Sequence, residues 1–224
     1  MPLMDATNRL SRSLAMPPTR PTVVIVDDDI SVRESLELLI QNEGWQPALF
    51  ESAQEFLAQL PTVVPSCLIL DVNLPDLSGL DIQQRISDEK FSTPIIFITG
   101  YGDIPTSVRA MKAGAAEFLT KPLNDEILIA AIREAVLRSQ ANLKREGAQR
   151  QLQERLGSLS KREHEVMNLV VKGLMNKQVG FELGISEITV KAHRGRVMEK
   201  MRATTFVDLV NMAGSLGIGT AREA

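Results

Sequence analysis

The sequence predicts a two-part chain: a doubly wound α/β domain with a five-stranded parallel sheet, then a smaller all-α domain. Three observations carry this. Between residues 22 and 137, short apolar runs of strand length alternate with helical patterns, as in successive βαβ units. Beyond residue 159 the strand-like runs stop and helix-capping spacings recur. The charge divides in the same way: residues 20–140 sum to −9 and residues 141–224 to +5, within a whole-chain net of −3. An acidic half joined to a basic half suits a cation-binding or signalling domain linked to an anion-binding one better than one compact enzyme.

Each element follows from local pattern. Residues 1–21 carry Pro2, Pro17, Pro18 and Pro21 and read as a flexible arm. Val23-Val24-Ile25-Val26 is β-branched throughout and ends in Asp27-Asp28-Asp29. Ser31 and Glu34 have capping-box spacing, and Val32, Leu36, Leu39 and Ile40 share a face, which predicts a helix over 31–42 stopped by Gly44. Residues 46–50 form a weak edge strand. Ser52 and Glu55 repeat the capping spacing before Phe56, Leu57 and Leu60. Cys67-Leu68-Ile69-Leu70 is a buried parallel strand that delivers Asp71 to a Pro- and Gly-marked loop. A helix over 79–88 turns Leu80, Ile82 and Ile86 inward. Residues 95–98 form a strand ending in Thr99, and a helix over 104–113 turns Val108 and Met111 inward. A last strand over 116–119 precedes Lys121-Pro122, and a helix starts near Asn124.

Residues 138–158 are rich in charge and glutamine and read as a linker, a candidate continuation of the preceding helix that Gly147 and Gly157 are expected to interrupt. Residues 159–224 read as helices only. Ser160 and Glu163 open the first, Leu174 to Leu183 make a second, Ser186 caps a third that runs to about Met201, and Thr205 and Asp208 open a fourth with Phe206, Leu209 and Val210 inward. Gly214, Gly217 and Gly219 suggest a fraying tail. Cys67, the only cysteine, reads as a small buried hydrophobe. No run of 18 apolar residues is present and the N-terminus lacks a signal-peptide core, so no membrane association and a cytoplasmic location are expected.

The candidate chemistry lies at the strand ends, where open α/β sheets hold their ligands. Clustered carboxylates repel one another unless a cation compensates. Asp28 and Asp71 offer two carboxylates, Asp27 a third through water, and the Asn73 carbonyl a further oxygen: a hard-cation set suited to Mg²⁺. Such a site accepts a phosphoryl group on one side, with Lys121 balancing its charge and Thr99 donating a hydrogen bond. The absence of His-Cys or His-His ligand spacing argues against zinc, and the absence of a Walker-type loop against an ATPase of that kind.

With these residues in place, 22–140 resemble the receiver domain of two-component response regulators, and Thr99-Gly100-Tyr101-Gly102-Asp103 resembles the FixJ-like branch. The resemblance implies a flavodoxin-like 2-1-3-4-5 strand order. It implies Asp71 as phospho-acceptor, Asp27 and Asp28 as the acid pair with Asp28 a direct metal ligand, and Lys121 as the conserved amine before a cis proline. It also implies Thr99 and Phe118 as the switch pair. A sensor histidine kinase would then donate the phosphoryl group, with no external metabolite turned over.

In the basic half, two short helices joined by Gly184-Ile185-Ser186 meet the geometry of a helix-turn-helix. Leu159-Ser160-Lys161-Arg162-Glu163, Asn176-Lys177-Gln178-Val179 and Leu183 through Arg194 resemble the LuxR-type helix-turn-helix over about 159–213. The resemblance places Thr189, Val190 and Lys191 on the recognition helix. Lys191 and Ala192 would approach bases, and Lys177, His193 and Arg194 backbone or groove. Gly180 and Gly195 depart from the family's usual residues. The combined resemblance, to the NarL/FixJ family, implies a phosphorylation-switched regulator that binds double-stranded promoter DNA as a phosphorylation-promoted homodimer, with RNA polymerase a further candidate partner. Two rivals remain open at this point: C-terminal helices that bind protein instead, and a Mg²⁺-dependent hydrolase built on the Asp71 rim.

Overall fold

The computed structural model describes residues 20–59, 65–88 and 93–219. Most of the predicted arm, together with Leu60, lies outside them. The chain forms two compact units that divide between Asn142 and Leu143.

The first unit alternates β1 (Thr22–Val26), α1 (Ile30–Asn42), β2 (Gln46–Phe50), α2 (Ala53–Gln59), β3 (Cys67–Asp71), α3 (Gly79–Asp88), β4 (Ile95–Thr99), α4 (Ile104–Lys112) and β5 (Glu117–Thr120) before α5 (Asp125–Gly157). The strands pair in parallel in the order β2-β1-β3-β4-β5. This is the expected doubly wound sheet. Its central strands are apolar on both faces because both faces are covered. Val24, Val26, Leu68, Leu70 and Phe97 pack with Phe56, Ile82 and Ala110 on one side. Val23, Ile25, Ile69, Ile96 and Ile98 pack with Leu36, Ile40, Leu128 and Ile132 on the other. Cys67 is buried in this second layer, and burial pushes its thiol pKa up.

The structure corrects several local expectations. α1 is capped two residues earlier than the Ser31 and Glu34 spacing implies: the Asp29 carboxylate accepts from the Ser31 backbone N–H at 2.8 Å. In α4 the buried residue is Ala110, whereas Val108 and Met111 are exposed. Ala110 joins Ile82, Ile95 and Phe97 in one core cluster, so α4 turns that face to the sheet. α5 runs unbroken for 33 residues, through Gly147, and ends at Gly157. A helical glycine costs only about 1 kcal/mol relative to alanine, which packing overrides. Leu152 and Leu156 supply that packing against the second unit's core.

The second unit adds α6 (Lys161–Val170), α7 (Asn176–Leu183), α8 (Glu187–Met201) and α9 (Phe206–Ser215). Leu159, Val166, Val170, Val179, Val190, Val197, Met201 and Leu209 form its core. The capping boxes at Ser160/Glu163 and Thr205/Asp208 are both present, and Ser186 caps α8 through the Thr189 N–H. Val210 faces solvent rather than the core. Gly214 lies inside α9, and Ile218 beyond it packs on the core, so the expected fraying is not seen through residue 219. Among the described residues, no helix is long and apolar enough to cross a membrane.

Candidate functional site

The ends of β1, β3 and β5 converge because parallel strands in this order share one carboxyl edge. Asp27 follows β1 and Asp71 ends β3; both are buried. Asp28 is exposed beside them, and the three carboxylates each bring an oxygen within 4.8 Å of the others. Lys121, one residue past β5, donates to Asp27 Oδ2 at 2.7 Å and to Asp71 Oδ2 at 2.6 Å. The second Asp27 oxygen accepts from the Asp29 N–H at 3.0 Å, and the second Asp71 oxygen from the Asn73 N–H at 2.8 Å. The Lys121–Pro122 peptide is cis.

Burial raises the pKa of Asp27, outweighing the hydrogen bonds from Lys121 and the Asp29 backbone. Burial works against the Lys121 ammonium too, but its hydrogen bonds to Asp27 and Asp71, and their charges, outweigh this and raise its pKa. One ammonium among three carboxylates leaves the rim short of positive charge. All three acids offer hard oxygen donors, and Asp28 makes no hydrogen bond or ion pair among the described residues. That donor set fits a divalent cation of the oxygen-seeking kind.

Thr99 is buried at the end of β4. Its hydroxyl donates to the Tyr101 carbonyl at 3.2 Å and accepts from the Asn73 side-chain amide at 3.3 Å. Asn73 therefore touches both Asp71 and Thr99. Phe118 is half-buried on β5, tilted against Phe97 with ring centroids 6.2 Å apart.

Three supporting residues escaped sequence reading because their partners lie in other elements. Arg33 donates to the Asp27 carbonyl at 2.6 Å. Asp76 accepts from Gln54 N–H at 2.9 Å and so ties the loop after β3 to the start of α2. Burial tends to raise the Asp76 pKa, but its backbone hydrogen bonds prevail and lower it. Gly79 is a close-approach position: a Cβ there would sit 2.6 Å from the Asp71 carbonyl oxygen. Only its glycine dipeptide context, Ser78-Gly79 after a loop, hinted at this.

The second candidate surface is α8. Lys191 and Ala192 are exposed, as is Lys177 on α7. Thr189 is engaged by its own cap, its hydroxyl 2.8 Å from that of Ser186. Arg194 lies over the Phe206 ring at 4.5 Å and donates to Asn176 at 3.2 Å. His193 is half-buried, and its Nδ1 has no protein partner. Gly180 lets α7 meet the turn: a Cβ there would lie 2.8 Å from the Ile185 carbonyl. Gly195 has open space around it.

Comparison with known proteins agrees with both halves. Residues 23–133 match the response regulator receiver domain family, and residues 157–213 match the bacterial regulatory proteins of the luxR family. Nodulation protein W of Bradyrhizobium diazoefficiens is 50% identical over 203 residues, covering 89% of this chain and 88% of that protein. Transcriptional regulatory protein FixJ of Rhizobium meliloti is 41% identical, covering 88% and 97%. The solved structure of the response regulator StyR is 41% identical with a TM-score of 0.80, covering 87% of this chain and 98% of that one. Full-length FixJ from B. japonicum is 37% identical with a TM-score of 0.55, covering 89% and 98%. With an acid rim at the edge of a receiver sheet, a helix-turn-helix beyond it and these relatives along most of its length, the chain belongs to the FixJ/NarL family of two-component response regulators, phosphorylation-activated DNA-binding proteins.

Proposed function

We propose that Asp71 is the phosphoryl acceptor, that Asp27 and Asp28 with Asp71 hold Mg²⁺, and that the phosphorylated protein dimerises on promoter DNA in the cytoplasm. The observation that carries the reading is the Lys121 ammonium bonded to both Asp27 and Asp71, with Asp28 within 4.8 Å of both acids. An Asp71 carboxylate oxygen attacks the phosphorus of a phosphohistidine on a sensor kinase. The O–P bond forms as the P–N bond breaks, and the imidazole leaves with the electron pair. A bound Mg²⁺ supplies charge neutralisation to the phosphoryl oxygens. Lys121 is already within hydrogen-bond distance of the acceptor carboxylate and supplies the second positive charge. Water later cleaves the acyl phosphate.

Thr99, released from Tyr101, swings its hydroxyl toward the new phosphoryl oxygens, and Phe118 moves into the space vacated. Phe118 lies on β5, which pairs with the strand that carries Thr99, so the change is passed toward α4. There Ile104, Val108 and Met111 are exposed apolar residues, flanked by exposed Arg109 and Lys112, with Asp125 and Glu126 at the start of α5. Mixed charge around apolar anchors suits self-pairing. Two recognition helices related by a dyad then read half-sites one turn of DNA apart. Lys191 and Ala192 meet base edges, and Lys177 meets phosphate.

Incubation with acetyl phosphate and Mg²⁺, followed by intact-mass and peptide analysis, tests the acceptor. A single phosphoryl group on Asp71 that is lost in Asp71→Asn is expected. Equal labelling of the variant overturns the assignment.

A further inference from the structure

The proposed DNA reading rests on Lys191 and Ala192, but the most exposed large apolar side chain of α8 is neither. Ile188, its second residue, is 83% exposed. The helix buries Val190, Val197 and Met201 and half-buries His193, Arg194 and Met198. At 3.6 residues per turn, Ile188, Ala192 and Gly195 fall at i, i+4 and i+7, close to the line opposite the buried one. The outward face thus has an apolar stripe along its middle: a branched side chain, a methyl and a bare backbone. Lys191 flanks it on one side and Arg196 on the other, both exposed.

This branched aliphatic side chain, held in water at the start of α8, lies outside the second unit's core cluster. Of its neighbours in the first turn, Ser186 and Thr189 are committed to the cap and Val190 to the core, while Glu187 is exposed beside it. The flanking cations make the surroundings of the stripe complementary to a polyanion rather than to an apolar protein face. The feature of a polyanionic duplex that an aliphatic group recognises is the thymine 5-methyl, which projects into the major groove. Residues at the N-terminal end of a recognition helix reach the base edges there.

We infer that Ile188 is a specificity-determining residue that packs on a thymine methyl in the major groove, with Ala192 beside it. This deepens the proposed DNA-binding reading and rests on it. Lys191 then supplies a hydrogen bond or charge next to the apolar contact. Gly195 leaves the groove floor open beyond it.

The test uses the full chain after acetyl phosphate and Mg²⁺ treatment. Bound duplexes are enriched from a random-sequence pool, and each thymine of the best binder is replaced in turn by deoxyuridine, which lacks only the methyl. At one thymine per half-site, wild type is expected to lose about fourfold in affinity, the equivalent of one buried methyl-sized group. Ile188→Ala is expected to bind the thymine duplex at the level of wild type on deoxyuridine, and to show no further loss on deoxyuridine. A circular-dichroism melt matching wild type confirms that the variant folds. Indifference of wild type to every deoxyuridine, or an undiminished deoxyuridine effect in Ile188→Ala, overturns the inference while sequence-specific binding stands. Failure to enrich any duplex overturns the DNA-binding reading and the inference together.

Discussion

The rim of the sheet and the outer face of α8, the two candidate sites, are built by opposite means. At the rim, Lys121 reaches partners 94 and 50 residues earlier in the chain, and both acids are almost fully buried. On α8, the candidate reading residues lie within eight positions of one helix and are exposed. The rim's chemistry is therefore part of its fold, because buried charges that face one another must be compensated for the sheet edge to close. The α8 face is carried by a scaffold that does not depend on it. Changes at the rim are expected to alter stability and function together, side-chain truncations on the face to alter function alone, and changes in the scaffold's caps to alter stability first.

The largest expected effect is at Lys121. Lys121→Ala leaves Asp27 and Asp71 facing each other without their ammonium, and is expected to cost about 3 kcal/mol in the first unit's unfolding free energy. Urea denaturation followed by circular dichroism measures this, and added Mg²⁺ is expected to recover part of the loss. Stability equal to wild type without Mg²⁺ breaks the link between rim charge and fold. Next is Gly79→Ala. Its Cβ would meet backbone rather than a yielding side chain, so the loop after β3 must shift, at about 2 kcal/mol. Acetyl-phosphate labelling at Asp71 should slow in the same variant, since that loop also positions Asn73.

A smaller effect is expected at the scaffold's cap. Glu163 is buried, accepts from Lys200 and from the Ser160 N–H, each at 2.7 Å, and so joins α6 to α8. The Lys200 hydrogen bond, then the Ser160 backbone, lower its pKa from the ordinary 4.5 to about 2. The folded state thus favours the ionised form. The stabilisation is fully present above about pH 4.5 and is lost as the pH falls toward 2. Glu163→Ala is expected to cost about 1.5 kcal/mol at pH 7 and to flatten the acid limb of the second unit's stability curve. An unchanged acid limb would assign that pH dependence to other groups.

The smallest effect separates two glycines of the helix-turn-helix. Gly195→Ala has open space and a helical backbone, and is expected to stabilise by about 1 kcal/mol. Gly180→Ala meets the Ile185 carbonyl and is expected to destabilise. Lys191→Ala is expected to leave the unfolding free energy within about 0.5 kcal/mol of wild type while weakening specific DNA binding more than non-specific binding. A large stability loss in Lys191→Ala would show that the α8 face is not separate from its scaffold.

Most of the architecture follows from the sequence alone, since period and caps are local. Apolar runs at 23–26, 67–70 and 95–98 have to be strands covered on both faces, and Ser160, Ser186 and Thr205 start helices wherever the rest of the chain lies. The acids at 27, 28 and 71, with Thr99 and Lys121, were legible as a set because strand ends of a parallel sheet share an edge. Tertiary structure decided what depends on distance. It exposed Val108 and Met111 because α4 packs through Ala110. It carried α5 through Gly147, where packing by Leu152 and Leu156 outweighs a glycine's weak helix preference. It also brought Arg33, Asp76 and Gly79 to the rim and withdrew Arg194 onto Phe206. The contacts of Arg33, Asp76, Gly79 and Arg194 have no local pattern, because each joins different elements that only the folded chain makes neighbours.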